Sequence, residues 1–522
     1  MPKLTIDNKP VEVSDGSTIL YAARKLGLDI PTLCYRDGCD PSTSCLVCVV
    51  KIKGKENFVP ACATVAEENM QVESETEEVR QARRTALELL LSDHLGDCVG
   101  PCESICPAHM NIPLMIRQIV AGKMVAAIKT VKKDIPLPAI LGRICPAPCE
   151  KGCRRNEKDE GVAICLLKRY VADTDLASGN PYLPECQRDI GKRVAIVGAG
   201  PAGLAAAYYL RQAGVKCTIY DDNPLAGGML RYGVPEEKLP REVLEAEIDT
   251  IRILGVDFIL NTMVGKDISY KHLRSDYDAV LLACGEQKDK IDIEGLEVVK
   301  SGISINNNTL QTNLDDVFVA GSIVRKGRMA VRAVEGGKRA AGSIVQSLMG
   351  KEVTGIEYPF TVHMGRLQEG EIEKFMAFAS IEKRVSLSIE GLEGLTDEQA
   401  KAEASRCLGC DCRKLSSCKL RSYADKYKVK AGRYKGVRRE FEHNIEHPEI
   451  VFEAGKCISC GLCVQITVKA KEKLGLTFIG KGFNVRVAVP FNESIKEGLA
   501  ETAGKCVEAC PTGALSYREH EE

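Results

Sequence analysis

The sequence predicts a multidomain chain of mixed α+β and α/β class, with a small sheet domain, a helical domain, a doubly wound nucleotide-type domain and a compact C-terminal domain. Three observations predict it. The 522 residues suffice for several domains of ordinary size. The first residues alternate apolar and polar, whereas a G-x-G-x-x-G fingerprint between two apolar runs marks the middle of the chain. Twenty-four cysteines recur in separate groups with different spacings, as expected if each domain binds its own centre.

Composition excludes several classes. Lys plus Arg number 71 and Asp plus Glu 72, so no basic face for nucleic acid is expected and the partners are expected to be proteins or small molecules. The opening MPKLTIDNKPVEV has no charged and apolar leader, and no apolar run reaches the length of a membrane span. A cytoplasmic protein is the expectation. In a long chain of this kind cysteines point to metal ligation rather than to a disulfide framework. Cys39, Cys186, Cys217, Cys284 and Cys506 fall outside the ligand-like groups and read as ordinary buried thiols.

Residues 1–80 form the first expected domain. Leu4 and Ile6, then Val11 and Val13, flank the turn DNKP as a hairpin, a helix follows at 17–26, and VVKIK offers another strand. Cys34, Cys45, Cys48 and Cys62 stand at C-x10-C-x2-C-x13-C, four thiolates suited to a [2Fe-2S] cluster. The gap after Cys39 does not fit the plant-type ferredoxin pattern, so Cys39 is not expected to ligate. The spacing resembles the N-terminal β-grasp ferredoxin domain of the large iron–sulfur subunit of respiratory complex I and of NAD-linked iron hydrogenases.

Residues 81–185 are expected to be helical and to hold two [4Fe-4S] clusters. QARRTALELLLS (81–92) has helical periodicity and leads to His94, Cys98, Cys102 and Cys106-Pro; Cys145-Pro, Cys149, Cys153 and Cys165 follow. The CP-x4-IP and GR-x-CP motifs at Cys106 and Gly142 resemble the N-terminal domain of the bacterial glutamate synthase small subunit and the matching domain of dihydropyrimidine dehydrogenase. Carried over, the resemblance implies one cluster on His94, Cys98, Cys102 and Cys153 and another on Cys106, Cys145, Cys149 and Cys165. The family's first motif has a cysteine where His94 stands, and the complex I relatives have a His-x3-Cys motif. Cys165 lies one helical turn before the family's non-cysteine ligand and could face the same cluster.

Residues 190–350 are expected to bind FAD. KRVAIVGAGPAGLAAAYYLRQAGVKCTIYDD is a strand, Gly198-x-Gly200-Pro201-Ala202-Gly203, a helix and a second strand ending at Asp221, an acceptor for a ribose hydroxyl. The diphosphate belongs at the helix N-terminus. Gly228, Met229, Arg231, Tyr232 and Gly233, then Gly321-Ser322, resemble the flavin domain of the glutamate synthase small subunit, with Ser322 where the family has Asp. In that family an NADPH-binding unit follows a segment like AVLLACG. Here about 30 residues separate Gly285 from DDVFVAGS, roughly the length of a single βαβ unit and without a second fingerprint. A nicotinamide site is therefore not expected on this chain.

A connecting region, 351–450, contains a helix at 398–407 leading into Cys407, Cys410, Cys412 and Cys418, C-x2-C-x-C-x5-C, read as one [4Fe-4S] cluster with a tetrahedral zinc as the competing reading. Residues 451–522 carry Cys457-x2-Cys460-x2-Cys463 and, later, Cys510-Pro, the bacterial ferredoxin pattern for one [4Fe-4S] cluster. Thr467 stands where a second cluster would need cysteine. GLTFIGKGFNVRVAVPF again resembles the complex I and iron-hydrogenase relatives. The expected cofactors are thus FAD, one [2Fe-2S] and three [4Fe-4S] clusters, plus a fourth [4Fe-4S] or zinc.

The resemblances imply an electron-transfer subunit of an anaerobic, bifurcating or NAD-linked oxidoreductase of the formate dehydrogenase, hydrogenase or transhydrogenase type. Its partners would be an NAD-binding flavoprotein subunit and a catalytic dehydrogenase or hydrogenase subunit, with ferredoxin a further candidate; no catalytic residue is expected on this chain. The alternatives are a self-sufficient NAD(P)H-dependent enzyme like the glutamate synthase small subunit, and a non-catalytic cluster hub with a vestigial flavin fold.

Overall fold

The computed structural model describes residues 1–286, 293–299, 302–324, 327, 329–377, 379–386, 394–434, 436 and 438–518. The chain divides into two compact units, and both are assembled from separated segments. The first comprises Met1–Val99, Pro359–Ala377 and Cys410–Glu522; the second comprises Gly100–Tyr358 and Phe378–Gly409. The expected blocks 81–185 and 351–450 are therefore each divided between the units.

In the first unit, β1 (Lys3–Ile6), β2 (Lys9–Glu12), β3 (Val49–Ile52), β4 (Phe58–Pro60) and β5 (Gln71–Glu73) form one sheet in the order β2-β1-β5-β3-β4. The β1–β2 connection is Asp7-Asn8, both left-handed at φ 48° and 64°, as a two-residue hairpin requires. β1 pairs with β5 in parallel, and the other pairings are antiparallel. The helix Ile19–Lys25, capped by Thr18, packs Ile19, Leu20, Ala22 and Ala23 into the same core as Leu4, Ile6, Val50 and Val72. This is the expected β-grasp arrangement. The helix Glu77–Leu91 joins this domain to the later segments of its unit. Fully buried Arg83 donates to the Val49 carbonyl at 3.0 and 3.1 Å and to the Tyr427 hydroxyl at 2.9 Å. The C-terminal strands Ile450–Phe452 and Leu515–Tyr517 pair antiparallel.

The second unit begins with short helices and continues into a five-stranded parallel sheet. Its strands β6 (Arg193–Val197), β7 (Lys216–Tyr220), β8 (Val256–Ile259), β9 (Ala279–Leu282) and β10 (Val317–Val319) run in the order β10-β9-β6-β7-β8, the doubly wound arrangement. All four inner pairings are parallel and β6 and β9 are almost wholly apolar and buried, as parallel strands covered on both faces must be. The helix Pro201–Gln212 packs along the helix Ala330–Leu348 at unusually close range. A Cβ on Gly337 would lie 2.2 Å from the Ala202 carbonyl oxygen, so only glycine permits the approach. No helix among the described residues is long and apolar enough to cross a membrane.

Candidate cluster and dinucleotide sites

Cys34, Cys45, Cys48 and Cys62 are all buried, and their thiols pair two by two. Cys34 accepts from Cys45, which draws it down to about 5 against the opposing effect of burial, and Cys48 accepts from Cys62 and falls to about 7. Cys45 and Cys62, as the donors, are raised. Electrostatic coupling of Cys34 to both Cys48 and Cys62 makes the four one group. The loop that presents them holds Thr43 and Leu46 at φ 50° and 53°, a left-handed conformation uncommon for such residues and typical of a loop wrapped around a site. Cys39 is half-buried and lies in a turn closed by its amide on the Arg36 carbonyl.

Cys457, Cys460, Cys463 and Cys510 line a single concavity together with Ile458, Pro511 and Thr512. Burial raises the first three thiols, so ligation would require an electropositive centre to hold them as thiolates. Thr467 does not face that site. Its hydroxyl donates to the Val464 carbonyl and accepts from the Leu476 amide, a local structural role.

The remaining ligand candidates fall in both units, each described by itself. In the first unit the Cys412 amide donates to the Cys98 carbonyl at 3.1 Å, and the strongest charged neighbours of the buried Cys418 thiol are Cys412, Cys98 and Cys510. His94 belongs to the same neighbourhood. The Leu95 amide donates to Gly455, and half-buried His94 faces Lys456 and Glu453; burial of the ring first, then Lys456, lowers its imidazole to about 4. Its Nδ1 is buried and has no hydrogen-bond partner, a state that a bound metal would relieve. Gly96 and Gly513 permit close packing there: a Cβ on Gly96 would lie 2.5 Å from Cε of Lys456, and one on Gly513 2.2 Å from Sγ of Cys412.

Cys102, Cys106, Cys145, Cys149, Cys153, Cys165 and Cys407 belong to the second unit. Cys145 and Cys165 are hydrogen-bonded through their thiols, and Cys165 also meets Cys149. Cys106 lies near Cys145. The second-unit residues Cys102, Cys153 and Cys407 pack on the edge of that unit's core. Arg155 Nη1 donates to the Arg406 carbonyl at 2.6 Å, which places Cys407 beside the turn that follows Cys153. The expected set His94, Cys98, Cys102 and Cys153 is thus divided between the units after Val99, and the expected set Cys407–Cys418 is divided after Gly409. Among the described residues no three His, Cys, Asp or Glu side chains converge as a single ion requires, whereas cluster thiolates bind different irons.

Sequence reasoning passed over Lys168. It is buried, and its leading charged neighbours are the thiols of Cys165, Cys145, Cys149 and Cys106. Burial alone would lower its ammonium, but the negative charge of those four sulfurs as thiolates reverses this and holds it above the ordinary lysine range. Of the cysteines expected to be plain buried thiols, Cys217 and Cys506 are buried, Cys39 and Cys284 are half-buried, and Cys186 is exposed. Cys186 sits in an irregular stretch between Tyr182 and the first strand of the sheet, so no core surrounds it.

At the end of β6 the three fingerprint glycines have separate causes. A Cβ on Gly198 would strike the Ala283 carbonyl oxygen at 2.5 Å, and one on Gly203 would lie 2.0 Å from the Gly198 carbonyl oxygen. Gly200 caps the helix Pro201–Gln212, and nothing lies within 4 Å of where its Cβ would be: it leaves the open approach that a pyrophosphate needs at a helix N-terminus. Asp221 also has a structural role. Its Oδ2 accepts from the Ala199 amide at 2.6 Å and its Oδ1 from Asn223, so the carboxylate fixes the glycine loop on the sheet. Gly228 packs on Gly200, Arg231 is held by the Ala226 carbonyl and Glu245, and Met229 and Tyr232 are exposed. Gly233 lies against Met229, Gly321 against Ala202, and the Ser322 hydroxyl donates weakly to the Gly327 carbonyl at 3.4 Å.

Three domain families match the chain: a 2Fe-2S iron-sulfur cluster binding domain over residues 2–77, dihydropyrimidine dehydrogenase domain II, 4Fe-4S cluster, over 63–180, and pyridine nucleotide-disulphide oxidoreductase over 192–297. The chain is an iron–sulfur flavoprotein. It is 44% identical over 201 residues to the NADPH-Fe(3+) oxidoreductase subunit beta of Geobacter sulfurreducens, a stretch covering 38% of the chain and 30% of that relative. The NADP(+)-dependent formate dehydrogenase subunit beta of Moorella thermoacetica is 42% identical over 207 residues, 36% of the chain and 29% of the relative. The glutamate synthase [NADPH] small chain of Bacillus subtilis is 34% identical over 262 residues, 49% and 53% respectively. The chain therefore spans only about a third to a half of these relatives.

Proposed function

We propose that the protein is an electron-conducting subunit of a multisubunit oxidoreductase, with the substrate chemistry on partner subunits. The observation that carries this reading is the number of separately constructed thiol sets, buried or half-buried and all soft donors, in a chain that also carries a dinucleotide fold whose Gly200 cradle is open. When bound, clusters pass single electrons and a flavin couples them to two-electron chemistry. The chain's own contribution is to hold thiolates in dry pockets and to present a helix N-terminus to a diphosphate. The relatives named as beta subunits support a place within a complex, and the Moorella relative supports the formate dehydrogenase type.

The contacts support the following ligand sets. Cys34, Cys45, Cys48 and Cys62 would hold the [2Fe-2S] cluster, and Cys457, Cys460, Cys463 and Cys510 a [4Fe-4S] cluster. Cys106, Cys145, Cys149 and Cys165 would hold another in the second unit, where Cys102, Cys153 and Cys407 belong to a further centre. In the first unit His94, Cys98, Cys412 and Cys418 would form one centre rather than contributing to two. This grouping is preferred to a single four-cysteine centre on Cys407–Cys418, with the Cys98 and Cys412 backbone hydrogen bond as its support.

No nicotinamide site is assigned to the chain, because β9 and β10 are joined by residues 283–316, short for a nucleotide-binding domain. The flavin, held at Gly198, Gly200 and Gly203 and by the elements around Gly228 and Gly321, would exchange electrons with clusters or a partner. The test is anoxic purification with assay of iron, sulfide and flavin, followed by NADPH addition to the isolated chain. Stoichiometric flavin that NADPH does not bleach, together with co-purifying redox subunits, is the expected result; rapid bleaching would establish a self-sufficient enzyme instead.

A further inference from the structure

Lys168 stands one helical turn after Cys165 in the helix Ile164–Ala177, so the two side chains share a face. The other thiols around it come from different elements: Cys106 ends the helix Pro101–Ile105, Cys145 ends Pro138–Ile144, and Cys149 lies in Pro148–Lys151. Lys168 is only 4% exposed, and these four sulfurs dominate its charged surroundings. An ammonium in such a place is costly unless a negative charge compensates it. Four neutral thiols supply none, whereas four thiolates on an iron–sulfur core leave a net anion that gains a further negative charge on reduction.

We infer that Lys168 is the fixed countercharge of the cluster on Cys106, Cys145, Cys149 and Cys165, and that it raises the midpoint potential of that cluster by stabilising the reduced form. The inference rests on the reading of those four cysteines as one ligand set. Lys456 provides the internal contrast. It too is buried, beside Cys412, but its Nζ donates to Glu453 at 2.6 Å, so much of its charge is already compensated.

The experiment uses the full chain, purified anoxically, as Lys168→Met, Lys168→Arg and Lys456→Met, with iron and sulfide counted before an EPR-monitored redox titration. Lys168→Met is expected to keep its iron and to shift one [4Fe-4S] midpoint negative, so that the reduced-to-oxidised ratio at fixed potential falls about tenfold, or about 59 mV for one electron. Lys168→Arg should stay near the parent, and Lys456→Met should shift its own centre less. Loss of that one cluster in Lys168→Met with retention in Lys168→Arg supports the same conclusion. An unmoved midpoint with all clusters present overturns it, as does loss of the cluster in both variants, which would show a need for shape rather than charge. Separately, Cys145→Ala with unchanged iron and unchanged spectra would overturn the ligand set on which the inference rests.

Discussion

A buried imidazole nitrogen with no partner costs on the order of 1–3 kcal/mol, and His94 Nδ1 is in that state. A metal bond is the natural compensation, and the neighbouring thiols Cys98, Cys412 and Cys418 are the chemistry it would join. His94→Ala should therefore abolish or broaden one [4Fe-4S] EPR signal while leaving the [2Fe-2S] signal intact; an unchanged iron count and spectrum would remove His94 from the ligands. Cys39→Ser should leave the [2Fe-2S] spectrum as it is, because Cys39 lies in its own turn outside the paired thiols. At this scale local spacing was informative: C-x2-C pairs and the His-x3-Cys step are visible in the sequence because their members lie within a turn or two of one another. The role of Asp221 was not legible. An acid at the end of a second strand is the usual ribose acceptor, and only the position of the Ala199 amide shows that this one secures the glycine loop as well.

Among the elements, the helix Pro201–Gln212 is constrained differently along its first turn. Gly203→Ala would push a methyl into the Gly198 carbonyl and should lower stability by roughly 1–3 kcal/mol, seen as an earlier unfolding midpoint even without flavin. Gly200→Ala meets no such obstacle and has an ordinary φ of −80°, so the protein should fold normally yet lose flavin, measured as the FAD-to-protein absorbance ratio. The helix Pro138–Ile144 offers a second test. Its Ala139 and Ile140 amides donate to Glu247 at 2.7 and 2.9 Å, and burial outweighs those bonds to raise that carboxyl to about 7. The folded state then holds a proton that the unfolded state has released, so stability from this group is full below the ordinary glutamate range and is lost as pH rises towards about 7. The loss is up to roughly 3 kcal/mol. Glu247→Gln should flatten this decline when unfolding midpoints are compared at about pH 5 and about pH 8. Strands and helices were mostly legible beforehand, because hairpin alternation, the glycine fingerprint and capping residues are local. The five-strand order of the first sheet was not, since β5 inserts between β1 and β3 from further along the chain.

For the whole molecule, the sequence read in linear blocks misses that the first unit is closed by segments from both ends of the chain. Periodicity and spacing carry no information on which distant cysteines meet, and the pairing of Cys98 with Cys412 depends on a backbone hydrogen bond between residues over three hundred positions apart. That discontinuity governs the order in which the protein can be made. The [2Fe-2S] domain draws its own core from residues 4–72 and can fold as it leaves the ribosome. Cys98, by contrast, is synthesised early and waits for Cys412, roughly 15–60 s later at ordinary elongation rates of about 5–20 residues per second. During that interval its thiol is unpartnered while the whole intervening unit forms. Cluster loading should thus be vectorial: early centres are filled on the nascent chain, and the His94 centre only near or after release. A pulse of iron starvation late in synthesis should deplete the two centres proposed to need residues beyond 410, the one with Cys412 and Cys418 and the one on Cys457, Cys460, Cys463 and Cys510, before those completed by earlier residues.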